Sequence, residues 1–440
     1  MRAWLRHMQG GHKLNSPLEC FLRSLRSRLK LRVLYHTTAI VMNWNEAIKS
    51  AIGFRHWSHQ HPELTWEESG TATRIRQVLS EWHIPWRACA EHGTVATLAV
   101  NAPGEHIALR ADMDALPITE KVPVDYCSSE AGKMHACGHD GHMAALIGAA
   151  IWLKQHESEL PGPVTLLFQP AEEGGHGAKR MIEDGALEGV ERIFGWHNWP
   201  ALPAGSAVCP DGPVMSGNGS FHMEIKGRGG HASQPEAVRD PVLAAAAITL
   251  NLQQIVSRRL PPQAAVVVSV TTLLAESSVT IIPESVRLEG GIRVSEPHWR
   301  EQVNHLIVEI AQDTAATYGV TAEVEIRSRY EATINDAVSA ARYRQALQEE
   351  LGADCLDGDL LLPIMASEDF SYYLNEVPGA FALVGMSTQG AFNAPCHSPD
   401  YQFNDDIIEA VMRVFCRLVN LPVASPEQDL THTIAAPEGE

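Results

Sequence analysis

Residues 164–183 read VTLLFQPAEEGGHGAKRMIE, and three local patterns follow one another within them. Val164 to Gln169 is a short apolar, β-branched run of the kind that forms a buried strand. Pro170 to Gly177 is a glycine-rich loop holding two adjacent carboxylates, Glu172 and Glu173. Ala178 to Glu183 then has helical spacing. Strand, loop and helix in this order form the repeating unit of an α/β sheet covered by helices on both faces.

The same alternation extends outward on either side. A helix-like run begins at Asn45 to Phe54, and Ser69 to Trp82 and Asp140 to Gln155 are further helices. Thr94 to Val100, His106 to Ala111 and Arg192 to His197 are strands. From about residue 216 the pattern changes: Phe221 to Ile225 is a strand, Pro241 to Arg258 a helix, Ala264 to Leu274 and Ser285 to Val294 strands. Trp299 to Tyr318 is a helix and Thr321 to Ile326 a last strand. That order, βαββαβ, is the ferredoxin-like α+β module, here read as residues 216–330 inserted into an α/β domain made of 43–215 and 331–425. In the returning part, Asp336 to Leu351 and Asp405 to Leu421 are helices around a strand at Ala380 to Val384. Residues 426–440 read as a flexible tail.

The charge divides the chain differently. Of 34 Lys+Arg and 53 Asp+Glu, residues 1–41 hold eight bases and one acid, which leaves 26 against 52 in the remainder. Residues 1–42 are therefore set apart as a basic leader: an organelle transit peptide, a short basic arm, or an over-extended start with Met42 as the natural first residue. A body this acidic does not track a phosphate backbone, so no nucleic-acid partner is expected. No run reaches the roughly 18 apolar residues of a membrane helix, so no membrane partner is expected either. The eight cysteines have no paired spacing and read as reduced thiols of a cytoplasmic protein.

Chemistry concentrates at the ends of predicted strands. His135-Ala-Cys137-Gly-His139-Asp140-Gly-His142 places three imidazoles, a thiol and a carboxylate within eight positions. Cys and His bind borderline metals, and a loop entering a helix at Asp140 can aim Cys137 and His139 at one point. Asp140 also suits a helix N-cap. Glu172 and Glu173 diverge in a turn, so one can bind a cation while the other faces the attacking water. His197 and His397 follow further strands. Five ligand types with a carboxylate to spare exceed the four that one closed structural zinc needs, and they suit two metals.

The motifs RHWSHQHPEL (55–64), ALRADMDALPI (108–118), MHACGHDGHMA (134–144), LLFQPAEEGGHGAKRMIEDG (166–185), GRGGHASQPE (227–236), SEDFSYYL (367–374) and HSPDYQFNDD (397–406) resemble the aminoacylase and carboxypeptidase clan of dinuclear metallohydrolases. Within it the chain is most similar to the amidohydrolase branch of hippurate hydrolases, auxin-conjugate hydrolases and N-acyl-amino-acid deacetylases. The resemblance runs from about Ile52 to Leu421. It implies a mixed-sheet catalytic domain with an inserted lid and dimerisation module, acting as a homodimer. It also implies two divalent ions per subunit (Mn, Zn, Co or Ni), bound by Cys137, His139, Glu173, His197 and His397, with the Cys137 thiolate bridging.

In the same resemblance Glu172 is the general base, taking a proton from water and delivering it to the departing amine. His231 of the inserted module is the oxyanion donor, reaching the site of the other subunit. Arg293, in GGIRV, is a candidate clamp for a substrate carboxylate or for the lid. Where other clan members have His-x-Asp, this chain has Arg110-Ala-Asp112; His139 is taken to replace the missing imidazole, with Asp112 and Asp114 as supporting groups. Thr280 stands where the branch has an Asn. Glu368 is expected to line or brace the site, His135, His142 and His176 to pack around it, and His56, His59 and His61 are assigned no chemistry.

The activity so implied is hydrolysis of N-acetyl-, N-benzoyl- or similar N-acyl amino acids. The alternatives are a dipeptidase or carboxypeptidase of the same fold, and a binding protein that retains the fold without catalysis.

Overall fold

The structure, a computed structural model, describes residues 42–356 and 359–423. The basic leader up to residue 41 and the tail at 426–440 lie outside the described residues. Helix α1 (Trp44–Gln60) opens on a reciprocal cap: the Asn43 side chain accepts from Glu46 N at 3.0 Å, and the Glu46 carboxylate accepts from Asn43 N at 2.8 Å. Then come α2 (Ser69–Glu81), β1 (Trp86–Cys89), β2 (Gly93–Leu98), β3 (Ile107–Asp112), α3 (His139–Gln155), β4 (Val164–Gln169), α4 (Gly177–Glu183), β5 (Arg192–Pro203) and β6 (Ala207–Val208).

The order across the main sheet is β1-β2-β4-β3-β5-β15-β6, where β15 is Gly379–Ser387. Strands β4, β3, β5 and β15 run parallel, while β1, β2 and β6 pair antiparallel, so the sheet is mixed. Parallel neighbours need crossovers; α3 links β3 to β4, and α4 links β4 to β5. Their carboxyl ends therefore share one edge, where sheets of this type bind ligands. Strand β5 runs six residues beyond the expected His197, because β15 keeps pairing it from Ile193 through Trp199 and again at Pro203. His197 thus sits within a strand and not in a loop after one.

Helix α3 is buried on all sides from His139 to Ile151, as a helix sandwiched between other elements must be. It packs against α1, β3 and the closing helix α9 (Asp406–Leu418). On the opposite face of the sheet, Ala178 and Met181 of α4 and Tyr373 of α8 (Ser371–Glu376) share a core with Ala108, Leu167, Phe381 and Leu383.

After β7 (Gly212–Met215) the chain forms a second sheet. Its members are β8 (Gly217–Lys226), β10 (Val266–Leu274), β12 (Ser285–Val294) and β13 (Thr321–Ser328), in the antiparallel order β10-β12-β8-β13. Helices α5 (Pro241–Leu252) and α6 (Pro297–Thr317) cover one face, burying Phe221, Ile225, Leu288 and Ile292 against Ile248, Leu252, Val303 and Ile307. This is the expected ferredoxin-like arrangement. Two short strands, β9 (Gly230–His231) and β11 (Ile281–Ile282), pair beside it. The chain then returns through β14 (Thr333–Asn335) and α7 (Ala337–Leu351) to α8, β15 and α9.

The α3 packing sets a stability test. A methyl group at Gly141 would fall within the Phe403 ring. Gly141→Ala should lower stability by about 1–3 kcal/mol through overpacking, outweighing the ~1 kcal/mol that Ala gains in helix propensity. A thermal midpoint equal to or above that of the unaltered protein would contradict this packing.

Candidate active site

A cavity of about 500 Å³ opens at the carboxyl edge of the parallel strands. Cys137, Glu172, Glu173, His197 and His397 line it, and Arg293 faces it from the inserted module. Cys137 and His139 can share a target because the residue between them, Gly138, has φ of +95°. A side chain at Gly138 would also collide with the Asn198 amide oxygen and the Tyr401 hydroxyl.

The five expected ligands converge. Potential ligand atoms of Cys137, His139 and His197 lie within 4.8 Å of one another, as do those of Cys137, Glu173 and His397, and those of His139, Glu172 and Glu173. Cys137 belongs to two of these groups. Its Sγ is 3.3 Å from His197 Nε2, and His397 Nε2 is 3.0 Å from Glu173 Oε1.

The donor set fits cations on a further observation. His139 Nδ1 lies 2.8 Å from the Asp114 carbonyl, and His197 Nδ1 lies 2.7 Å from the Asn198 carbonyl. A carbonyl only accepts, so in each ring Nδ1 carries the hydrogen and Nε2 is free to ligate. His139 Nε2 is buried with no hydrogen-bond partner. Although burial alone would lower it, the Asp112 and Asp114 carboxylates push the His139 pKa up to about 10, so that without a cation Nε2 holds a proton, which a bound ion would displace. Burial, together with the charge of His142, holds His197 well below the usual histidine range.

Asp114 has a defined part that its place in the sequence did not reveal. Its Oδ1 accepts from Glu172 N and its Oδ2 from Glu173 N, each at 2.9 Å, while Thr65 Oγ1 donates to Oδ2 at 2.9 Å. One carboxylate thus fixes the backbone of both paired glutamates. Glu172 is 6% exposed; burial and then the charges of Glu368, Glu173, Asp369 and Asp114 raise its pKa well above the carboxylate range.

Arg110, standing where an imidazole was missed, is a buried guanidinium among acids. It donates to Asp112 at 2.6 Å, Glu368 at 2.8 Å, Asp369 at 3.0 Å and Gln169 at 2.8 Å. Glu368 is therefore braced as well as lining the cavity. Asp112 also lies 2.6 Å from His142 Nδ1, whose Nε2 is 2.7 Å from Asn198 Oδ1. His142 accordingly belongs to a polar chain beside the candidate ligands and is more than a packing group.

Other expectations change at the start of α3. Asp140 is not an N-cap; Gly138 holds that place. The Asp140 carboxylate instead meets Arg55 at 3.1 Å and His59 Nδ1 at 2.8 Å, and His59 Nε2 is 3.1 Å from Glu120. His59, assigned no chemistry from the sequence, is thus part of a buried charge cluster tying α1 to α3. Sequence spacing gave no sign of it, since 81 positions separate His59 from Asp140. His135 nearby has both ring nitrogens buried and unpartnered, and burial lowers its pKa to about 4. His176 meets the Tyr372 hydroxyl at 2.8 Å.

The structure does not bring His231 or Thr280 to this cavity. Both are exposed, and they lie side by side on the inserted module: Ile281 pairs with His231, and Ala232 N donates to Thr280 O at 2.9 Å.

The family model described as peptidase family M20/M25/M40 matches residues 108–421. IAA-amino acid hydrolase ILR1-like 2 of Arabidopsis thaliana is 39% identical over 373 residues, covering 84% of this chain and 82% of that protein. N-acetyl-L-cysteine deacetylase of Bacillus subtilis is 38% identical over 360 residues, covering 82% and 86%. Among solved structures, the Bacillus subtilis YXEP protein, a dinuclear metal-binding peptidase from the M20 family, superimposes with a TM-score of 0.73 at 32% identity, over 85% of this chain and 98% of that one. The fold and site thus define a metal-dependent hydrolase. The chain belongs to peptidase family M20/M25/M40.

The His59 cluster predicts a pH dependence. Burial would lower the His59 pKa, but the hydrogen bond and charge of Asp140 raise it to about 9. Its contribution is therefore complete below the unfolded value of ~6.5 and is lost as pH rises through about 9. The stability difference between the unaltered protein and His59→Gln should narrow by up to ~3 kcal/mol across that interval. Denaturant unfolding at a series of pH values measures it; a constant difference would refute the charged pair.

Proposed function

We propose that the protein hydrolyses the amide bond of N-acyl amino acids, releasing a carboxylate and a free amino acid. The observation that carries this reading is the convergence of five ligand atoms about Cys137, with Glu172 alongside. The names of the Arabidopsis and Bacillus relatives, an IAA-amino acid hydrolase and an N-acetyl-L-cysteine deacetylase, denote cleavage of such substrates.

Two divalent ions, Mn, Zn, Co or Ni, would be held by Cys137, His139, Glu173, His197 and His397; thiolate and imidazole donors suit these borderline metals. Such ions supply Lewis acidity that polarises an amide carbonyl and lowers the pKa of water. Glu172 takes the proton of the attacking water and returns it to the leaving amine. Asp114 keeps Glu172 and Glu173 on their separate tasks by holding both amides. Arg293 binds the substrate carboxylate.

His231, exposed and away from its own cavity, serves the site of a second copy as an oxyanion donor, with Thr280 beside it. The segment 216–330 is then both lid and dimerisation module. Its edge strand β10 is unpaired on one side among the described residues and exposes Val267, Leu273 and Leu274, which favours association through that edge. A cytoplasmic location is in keeping with the free thiols of Cys89, Cys127, Cys137, Cys209, Cys396 and Cys416. None of the described helices is long and apolar enough to cross a membrane.

Glu172→Gln should retain bound metal and reduce turnover of N-acetyl and N-benzoyl amino acids by roughly 10²–10⁴-fold, read by amine release beside a dipeptide panel. Loss of metal together with activity would remove Glu172 from the proton-transfer role, and faster turnover of dipeptides would favour a dipeptidase. Mixing inactive His231→Ala with inactive Glu172→Gln should restore roughly a quarter of the original activity, because one site of each mixed dimer is complete. No restoration after confirmed subunit exchange would place His231 in its own chain's site or outside catalysis.

A further inference from the structure

Arg293 and Arg329 share one wall of the cavity, and neither guanidinium has an acidic partner among the described residues. The better-buried arginines behave differently. Arg55 meets Asp140 at 3.1 Å, Arg110 meets Glu368 at 2.8 Å, and Arg300 meets Glu331 at 3.1 Å. Glu172, Glu173 and Glu368 line the same cavity, but none forms an ion pair with either guanidinium, so the two like charges repel each other without a direct counter-ion. Burial and the charge of Arg329 both lower the Arg293 pKa, in keeping with that repulsion.

The second sheet holds the pair in register. Arg293 on β12 stands opposite Asn218 on β8, and Arg329 directly follows β13, donating its backbone N–H to Asn218 O at 3.0 Å. The two arginines are thus two strand spacings apart, about 10 Å at the backbone. Arg329, although exposed, also reaches toward the reacting groups. Its guanidinium occupies the space a side chain at Gly174 would need, next to Glu173, and lies 5.6 Å from the centre of the Tyr330 ring. The Tyr330 hydroxyl donates to Glu172 O at 2.6 Å. An amide substrate with a single carboxylate satisfies one of these guanidinium groups and leaves the other without a counter-ion.

We propose that Arg293 and Arg329 together form a two-anion clamp, and that the preferred substrates are N-acyl amino acids bearing two carboxylates, the second on either the amino-acid side chain or the acyl group. This rests on the cavity's being the amide-hydrolysing site. Arg293 holds one carboxylate and Arg329 the other, so Arg329 determines specificity.

The test is calorimetric binding to metal-loaded Glu172→Gln protein, which needs no turnover. N-acetyl-L-glutamate is compared with N-acetyl-L-glutamine, and N-succinyl-L-alanine with N-butyryl-L-alanine; the first pair probes a side-chain carboxylate, the second an acyl carboxylate. The dianionic member of at least one pair should bind at least ~10-fold more tightly, the scale of a hydrogen bond to a charged group. That ratio should fall to about twofold or less on adding Arg329→Met, survive in part with Arg329→Lys, and shrink at high salt. Ratios near one in both pairs, or a preference that persists in Arg329→Met, would overturn the clamp. Failure of the unaltered enzyme to cleave any acyl amino acid would overturn the hydrolytic reading instead, while the binding ratios still decide the clamp.

Discussion

Six carboxylates, from Asp112, Asp114, Glu172, Glu173, Glu368 and Asp369, converge at the carboxyl edge of one parallel sheet, and all but Glu173 are buried. Desolvated like charges are tolerated only where each finds donors or opposite charge. Much of the surrounding structure meets that requirement. Arg110 contacts Asp112, Glu368 and Asp369, Asp114 accepts the two glutamate amides and the Thr65 hydroxyl, and Asp369 accepts from Gln169 and Ala178 N. Glu172 and Glu173 are left facing the cavity with Cys137 and the histidines, where bound cations would complete the compensation.

The arrangement also separates two carboxylates that are neighbours in sequence. Asp114 clamps both of their amides, so the side chains diverge from a fixed backbone: Glu173 toward His397, and Glu172 toward Glu368 and Asp369. Unequal surroundings let chemically identical groups take different tasks, as the proposed ligand role of Glu173 and proton-transfer role of Glu172 require. Behind them, Arg55, His59 and Asp140 hold the first turn of the helix that carries His139.

Local patterns made much of the frame legible. The apolar runs at 164–169 and 285–294 are strands over those same residues, and the βαββαβ order emerged as the four-stranded sheet. The five convergent candidate ligands were readable because Cys, His and paired carboxylates at the ends of predicted strands are chemically distinctive types. Less legible were groups whose meaning lies in a distant partner. Arg110 looked like a departure from a motif, Asp140 like a cap, and His59 drew no chemical assignment; each is defined by contacts across 80 or more positions. Arg329 carried no local signal, because an arginine after a strand is ordinarily a solvated end.

The sequence by itself determined which segments are strands and helices, through apolar period and turn residues, and which side chains have the chemistry to hold cations. The tertiary structure alone decided which charges are paired. It buried Arg110 among three acids, set Arg293 and Arg329 without carboxylate partners across two strand spacings, and left His231 outside its own cavity. Pairing depends on burial and on distances of a few ångströms between residues far apart in the chain. Electrostatic energy changes steeply over such distances, and local sequence patterns do not encode them.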